Sequence, residues 1–142
     1  MNDFPSYPEI PSIANLHPGP QVLLGRPIHW TEKRDGSNLR LAWRDGALRI
    51  GSRHLVEASE QFQAAFRACP QADALVEFLR EHSGESTASF AADFRFDPVV
   101  YIELLVKGKS PTRIEVHERN EFVVFDIRDC KADRFLPYVA VY

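Results

Sequence analysis

Lys33 is the residue of this chain whose type and neighbours point most directly to covalent chemistry. It lies in the stretch EKRDGSN, two residues before an Asp-Gly pair. A lysine amine acts as a nucleophile only when it is neutral, so its pKa must fall through loss of solvent or through nearby cations. Three arginines are candidates for the second effect: Arg34, Arg40 and Arg53. The chemistry that this stretch could perform is attack of the lysine amine on an electrophile.

The residues that follow Lys33 could hold a nucleotide. Gly36 would let the backbone approach the nucleotide closely, and Asp35 and Asn38 could hold ribose hydroxyls. The alternative is an ordinary turn, because Asp-Gly is a common turn pair and the spacing Lys-x-Asp-Gly often arises by chance. Taken alone, the motif favours the turn.

Strands are the elements that must position these residues. The segment HWTEK, which ends at Lys33, alternates apolar and polar residues, and so do the runs on either side of Asp45-Gly46. These patterns predict a strand that ends at Lys33, and then a β-hairpin around Asp45-Gly46. The apolar runs VVYIELL and EFVVFDI predict two buried strands later in the chain.

Residues 59–82 change to a helical period, and Pro70 predicts a division into two short helices. The next segment, HSGESTAS, is typical of a polar loop. Five prolines among the first twenty residues exclude a regular helix or central strand and predict an extended arm on the surface. We therefore expect a proline-rich arm over residues 1–26. Residues 27–142 would form one α+β unit with antiparallel sheets and a helical insertion.

Composition agrees with a single folding unit. The chain has 142 residues, of which 44% are apolar and 26% charged, and this excludes disordered and low-complexity classes. The sequence shows neither a bilayer-spanning apolar run nor the pattern of a signal peptide, so we expect a cytoplasmic protein. Cys69 and Cys130 lack the spacing of a zinc site or a disulfide framework, so we expect both to be reduced and buried.

Charge is distributed unevenly along the chain. The net charge is −3, yet residues 26–53 contain seven Lys and Arg against three acids. Such a basic segment could meet phosphates, although strand arginines that face solvent are the commoner explanation.

Four segments, taken in order, resemble the motifs of the covalent nucleotidyltransferases, in the form found in ATP-dependent RNA ligases that seal nicks in double strands. TEKRDGSN resembles the Lys-x-Asp-Gly motif I, and GSRH at residues 51–54 resembles the Ser-Arg pair on the following strand. YIEL at residues 101–104 resembles motif III, and FVVFDI at residues 122–127 resembles motif IIIa. The four together, over residues 27–130, form a more specific signal than any one of them.

The resemblance implies an adenylation domain in which Lys33 attacks the α-phosphate of ATP and forms lysyl-AMP. AMP would then pass to a 5′-phosphate end of RNA for strand joining, with Mg²⁺ assisting. It also implies that Phe125 stacks on adenine, that Arg53 contacts ribose or phosphate, and that Glu103 binds ribose or metal. The other nucleotide-binding residues implied are Glu32, Asp35, Gly36 and Asn38. Candidate nucleic-acid contacts are Arg34, Arg40, Lys107 and Lys109.

This sequence departs from the family pattern at two places. Ile102 stands where the family more often has glycine, and the sequence stops before motifs IV and V, so the resemblance implies a domain incomplete at its C-terminus. Lys107-Gly108-Lys109 has the Lys-x-Lys pattern of motif V but lies in a Gly/Pro turn. The alternatives are therefore a noncatalytic nucleotide- or nucleic-acid-binding module and half of a split ligase completed by a partner chain. A DNA substrate and guanylyl transfer from GTP also stay open.

Overall fold

A computed structural model describes residues 4–10, 15, 17, 19–25, 27, 33–83, 97–109, 111–112 and 116–137. Within these residues the chain forms an α+β fold, as the sequence predicts. The strands are β1 (Ser37–Arg44), β2 (Ala47–Ser52), β3 (Pro98–Leu105), β4 (Glu121–Asp129) and β5 (Arg134–Phe135). The helices are α1 (Glu60–Arg67), α2 (Ala72–His82) and a 3-10 helix over Pro20–Leu23.

The five strands form one antiparallel sheet in the order β2-β1-β3-β4-β5. The predicted hairpin joins β1 to β2, and its turn residues Asp45 and Gly46 have φ values of 53° and 71°. Two consecutive positive φ values belong to the turn whose twist matches that of antiparallel strands. The hairpin prediction is confirmed, and it places β1 in the interior of the sheet between β2 and β3.

The two predicted helices are confirmed, and both cover one face of the sheet. The hydroxyl of Ser59 caps α1 by accepting a hydrogen bond from the backbone N–H of Phe62. Phe66 of α1 and Leu79 of α2 are fully buried against the sheet, in one cluster with Leu39. Burial of apolar side chains on this face stabilises the fold and leaves the opposite face of the sheet for other contacts.

The opposite face, here called the arm face, is covered by residues 4–10, here called the N-terminal arm. Phe4 is buried on it together with Ala42, Val99, Tyr101 and Cys130, while Tyr7, Phe125 and Phe135 pack against this cluster. The arm has no helix or strand, as its prolines predict. It is nevertheless more than a surface segment, because Phe4 belongs to the core of this face.

Some local features differ from the predictions, and other predictions lie outside the described residues. Strand β4 is half-buried along most of its length, because its outer neighbour β5 has only two residues. The 3-10 helix at Pro20–Leu23 was not predicted, although proline at its first position suits a helix start. Lys33 itself lies in irregular chain before β1, while the rest of the strand predicted to end there, residues 29–32, and residues 84–89 of the predicted polar loop are outside the described part.

Both cysteines are free and buried, as predicted. Burial raises the pKa of the Cys69 thiol to about 11, so this thiol is protonated at neutral pH. None of the helices in the described part of the chain is long and apolar enough to cross a bilayer.

Candidate functional site

A cleft of about 450 Å³ opens on the arm face at the end of the sheet where β1 begins. It gathers residues from the arm, from the segment before β1, from three strands and from the residue after β2. Its lining consists of Tyr7, Pro8, Ile10, Lys33, Arg34, Asn38, Arg53, Glu103, Val123 and Phe125. Five of the residues singled out from the sequence for nucleotide chemistry therefore share one cleft: Lys33, Asn38, Arg53, Glu103 and Phe125.

Strand register explains why three of the lining residues, Asn38, Glu103 and Val123, lie side by side. Asn38 of β1 lies opposite Glu103 of β3, and Glu103 lies opposite Val123 of β4. Residues directly opposite one another in antiparallel strands point to the same face, so these three form a row across the sheet. The row crosses strands from distant parts of the sequence and forms the floor of the cleft.

A β-bulge in β4 puts two consecutive side chains, Phe125 and Asp126, on the same face. Ile102 lies opposite Val124 and Tyr101 lies opposite Asp126, so Phe125 is the extra residue between two ladder pairs. Both Phe125 and Asp126 contact Tyr7 on the arm face, although consecutive strand residues normally point to opposite faces. Alternation from Val123 already places Phe125 on the arm face, and the bulge brings the next residue, Asp126, to that face as well.

Glu103 links the cleft to the segment that follows Lys33. Its carboxylate Oε1 accepts a hydrogen bond from the backbone N–H of Gly36 at 3.0 Å. Burial raises the pKa of Glu103, against the opposing effects of the Gly36 N–H and the charge of Lys33. The carboxylate therefore lies near Lys33 and ties the loop containing the lysine to the middle of the sheet.

The cleft has one cationic region and one aromatic region. Lys33, Arg34 and Arg53 contribute three positive charges against the single carboxylate of Glu103 among the described lining residues. Tyr7 and Phe125 provide two aromatic rings. Cations and guanidinium groups bind phosphate oxygens, and aromatic rings stack on planar bases, so this combination suits a nucleotide.

Gly36 and Asp35 lie outside this cleft and hold the loop instead. A Cβ on Gly36 would lie 2.5 Å from the carbonyl oxygen of Leu104, so the absence of a side chain lets the loop pack against β3. The carboxylate of Asp35 accepts hydrogen bonds from the backbone N–H and the hydroxyl of Thr112 at 3.1 and 2.7 Å. His117 donates from Nε2 to the Asp35 carbonyl at 2.8 Å.

The basic residues expected at nucleic acid are separated from one another. Arg34 lines the cleft and pairs with Glu121 at 3.7 Å. Lys107 and Lys109 are exposed, and Lys109 lines a second cavity of about 510 Å³ on the helix side of the sheet.

Arg40 does not have the exposure expected of a nucleic-acid contact. Its side chain is 5% exposed, and the guanidinium carbon lies 4.8 Å from the centre of the Phe4 ring. One N–H group donates to the carbonyl of Leu55 at 3.3 Å. Arg40 projects from the same face of β1 as Asn38, but the N-terminal arm covers it.

Four lining residues were not predicted from the sequence: Tyr7, Pro8 and Ile10 of the arm and Val123 of β4. Alternation in β4 could have placed Val123 on the same face as the neighbouring site residues. The arm offers no such signal, because irregular proline-rich chain has no period that assigns a residue to a face. Glu32 lies outside the described residues.

The carboxylate-bearing residues of the described chain determine where a metal ion could bind. Within the described ranges, no group of three His, Cys, Asp or Glu residues converges on one point. Glu103 is the one carboxylate among the described lining residues, and three cations line the same cleft.

Comparisons with known proteins show a likeness of fold to part of a solved structure. No family model matches the sequence, and no curated protein matches it. Among solved structures, an archaeal ATP-dependent RNA ligase aligns with a TM-score of 0.47 and 19% identity. The alignment covers 77% of this chain and 25% of that protein, so the chain is similar in fold to part of that ligase and spans about a quarter of its length.

Proposed function

We propose that this chain is the nucleotide-binding part of an ATP-dependent RNA ligase, with Lys33 as the residue that becomes adenylated. The observation that supports this best is the cleft, which joins Lys33 and Asn38 to Arg53, Glu103 and Phe125. These residues come from four separate segments, each resembling a different motif of one enzyme family.

The proposed first step is transfer of AMP to Lys33. The neutral amine attacks the α-phosphorus of ATP, a P–N bond forms, and the bond to the bridging oxygen breaks. Pyrophosphate leaves with the electron pair, and the attacking nitrogen loses one proton to solvent or to a nearby base. The positive charges of Arg34 and Arg53 stabilise negative charge on the phosphate oxygens.

The other cleft residues are assigned to binding and orientation. Phe125 stacks on the adenine ring, and Asn38 and Glu103 accept or donate hydrogen bonds to the ribose hydroxyls. Glu103 also holds the Gly36 backbone, so the same carboxylate positions the loop that presents Lys33. These contacts orient the α-phosphate toward the amine before the chemical step.

Glu103 is the residue we assign to Mg²⁺. A bound Mg²⁺ ion neutralises phosphate charge and so lowers the barrier to displacement of pyrophosphate.

The proposed later steps join nucleic-acid strands. The adenylate moves from Lys33 to a 5′-phosphate, which releases the amine and leaves the strand with an activated end. A 3′-hydroxyl then attacks that phosphate and displaces AMP. Arg34, at the rim of the cleft, and the exposed pair Lys107 and Lys109 are the described basic residues assigned to the RNA backbone.

Peptide mapping of the nucleotide adduct tests the first step. We expect incubation with ATP and Mg²⁺ to add the mass of one AMP, located on the peptide that contains Lys33. The bond should be labile to acid and stable to alkali, as for a phosphoramidate. GTP supplied at equal concentration should compete poorly. Folded protein that binds ATP without any adduct would instead support a noncatalytic binding module or half of a split enzyme.

Replacement of Glu103 by glutamine separates its charge from its structural contact. Gln can still accept the Gly36 N–H, so we expect the fold to persist while the rate of adduct formation falls about 100-fold. The pKa of Glu103 is raised in the folded state, so ionisation opposes folding as pH rises above the unfolded value of about 4.3.

The pH dependence of stability provides the control for this substitution. The stability of Glu103→Gln relative to the unchanged protein should therefore increase with pH from about pH 4 until the folded-state pKa is passed. Urea denaturation at several pH values measures this difference. A pH-independent difference would contradict the assigned pKa direction, and an unchanged adduct rate would remove Glu103 from the site.

A further inference from the structure

The N-terminal arm forms one side of the cleft, although none of the recognised motifs includes it. Tyr7, Pro8 and Ile10 all line the cleft, and the Tyr7 ring contacts that of Phe125. A nucleobase stacked on Phe125 would therefore also contact the N-terminal arm.

Contacts along the arm hold it on the sheet. The buried Phe4 ring lies against the Arg40 guanidinium, 4.8 Å from its carbon. The Tyr101 hydroxyl donates to the carbonyl of Pro5 at 3.0 Å. Burial raises the pKa of Tyr101 to about 12, so this hydroxyl keeps its proton at neutral pH. These contacts give Tyr7 a defined position beside the cleft.

Tyr7 contacts three aromatic rings and one carboxylate. Its ring centre lies 5.0 Å from those of Tyr101 and Phe125 and 5.6 Å from that of Phe135, each in a T-shaped arrangement. Its hydroxyl donates to Oδ2 of Asp126 at 3.0 Å. Tyr7 thus contacts both residues that the β4 bulge turns to this face.

These contacts bear on the orientation of Phe125. As the extra residue of a bulge, Phe125 has no ladder partner opposite it, so packing must help to fix where its ring points. The planes of Tyr7 and Phe125 meet at 81°. A T-shaped contact covers at most one face of the Phe125 ring, so the other face is left clear of Tyr7.

We propose that Tyr7 is a positioning residue for the base of a bound nucleoside triphosphate. It holds Phe125 and Asp126 of the bulge in place and forms the aromatic wall beside the stacked base. This assignment rests on the proposed function, since it takes the cleft to be a nucleotide site. It makes the N-terminal arm part of the binding site and gives it a role in recognition of the base, separate from recognition of the phosphates by cations.

Two ligands that share a polyphosphate and differ in the base provide the test. α,β-Methylene-ATP carries the base and cannot transfer AMP, and inorganic tripolyphosphate carries no base. Affinities for both are measured by titration calorimetry with the full chain and three variants. Tyr7→Leu removes the ring but keeps apolar volume, Tyr7→Phe removes only the hydroxyl, and Phe78→Leu is a matched control that removes a half-buried ring on the helix side.

We expect Tyr7→Leu to weaken binding of α,β-methylene-ATP about tenfold and to leave tripolyphosphate binding unchanged. Tyr7→Phe should stay within about threefold of the unchanged protein, because it keeps the ring. Phe78→Leu should alter neither affinity.

The inference is overturned if Tyr7→Leu binds α,β-methylene-ATP as tightly as the unchanged protein, or if it weakens both ligands by the same factor. Failure of the unchanged protein to bind either ligand would overturn the proposed function, and the inference with it. If Lys33 forms the AMP adduct but Tyr7→Leu leaves the affinity for α,β-methylene-ATP unchanged, the inference is overturned and the proposed function is kept.

Discussion

Replacement of Lys33 by alanine or arginine is expected to abolish the AMP adduct, with the rate falling by at least about three orders of magnitude. Alanine removes the nucleophile. Arginine keeps the positive charge but offers no neutral amine, because its guanidinium stays protonated at all relevant pH values. Intact-protein mass spectrometry after incubation with ATP and Mg²⁺ measures the loss directly.

The controls for Lys33 separate covalent chemistry from general loss of structure. Lys33 is exposed in irregular chain, so both variants should unfold at the same urea concentration as the unchanged protein. Lys131→Ala removes an exposed lysine from the turn between β4 and β5, outside the cleft, and should keep the full adduct. An adduct that persists in Lys33→Arg would place the nucleophile elsewhere and contradict the proposed mechanism.

Replacement of Gly36 by alanine is expected to reduce both stability and adduct formation. The added Cβ would lie 2.5 Å from the Leu104 carbonyl oxygen and 2.9 Å from Cγ of Glu103, so the loop must move away from β3. Overlap of this kind costs about 1–3 kcal/mol of folding free energy. Movement of the loop also displaces Lys33 from the α-phosphate, and a misplacement of about 1 Å can lower a rate about 100-fold.

Gly46→Ala provides the matched control for Gly36→Ala. A Cβ on Gly46 meets nothing within 4 Å, but the residue has a φ of +71°, so the substitution costs about 1 kcal/mol through backbone strain alone. Gly46→Ala should therefore lower the urea midpoint without slowing adduct formation. Equal adduct rates in the two variants would show that the close packing of Gly36 has no role in positioning Lys33.

Much of the secondary structure could be predicted because its signals are local. Asp45-Gly46 between alternating runs determined the first hairpin, and the helical period around Pro70 determined two helices. Turn chemistry and hydrophobic period act over a few residues, so they can be read without knowledge of distant partners. The two-residue strand β5 escaped prediction because so short an element has no period of its own.

Membership of the cleft could be predicted only in part. Asn38, Arg53, Glu103 and Phe125 were singled out by their segments, and they line the cleft with Lys33. The motif segments were therefore a useful guide to which side chains meet, although their spacing says nothing of the distances between them.

Tertiary structure alone decided how the remaining residues are used. By sequence Arg40 was as good a candidate cation as Arg53, yet docking of Phe4 buries Arg40 and leaves Arg53 exposed at the cleft. The bulge in β4 places Asp126 on the same face as Phe125, and whether Tyr7 reaches these two residues depends on the path of the arm. Register, bulges and arm docking arise from contacts between residues far apart in the chain, and no local pattern determines them.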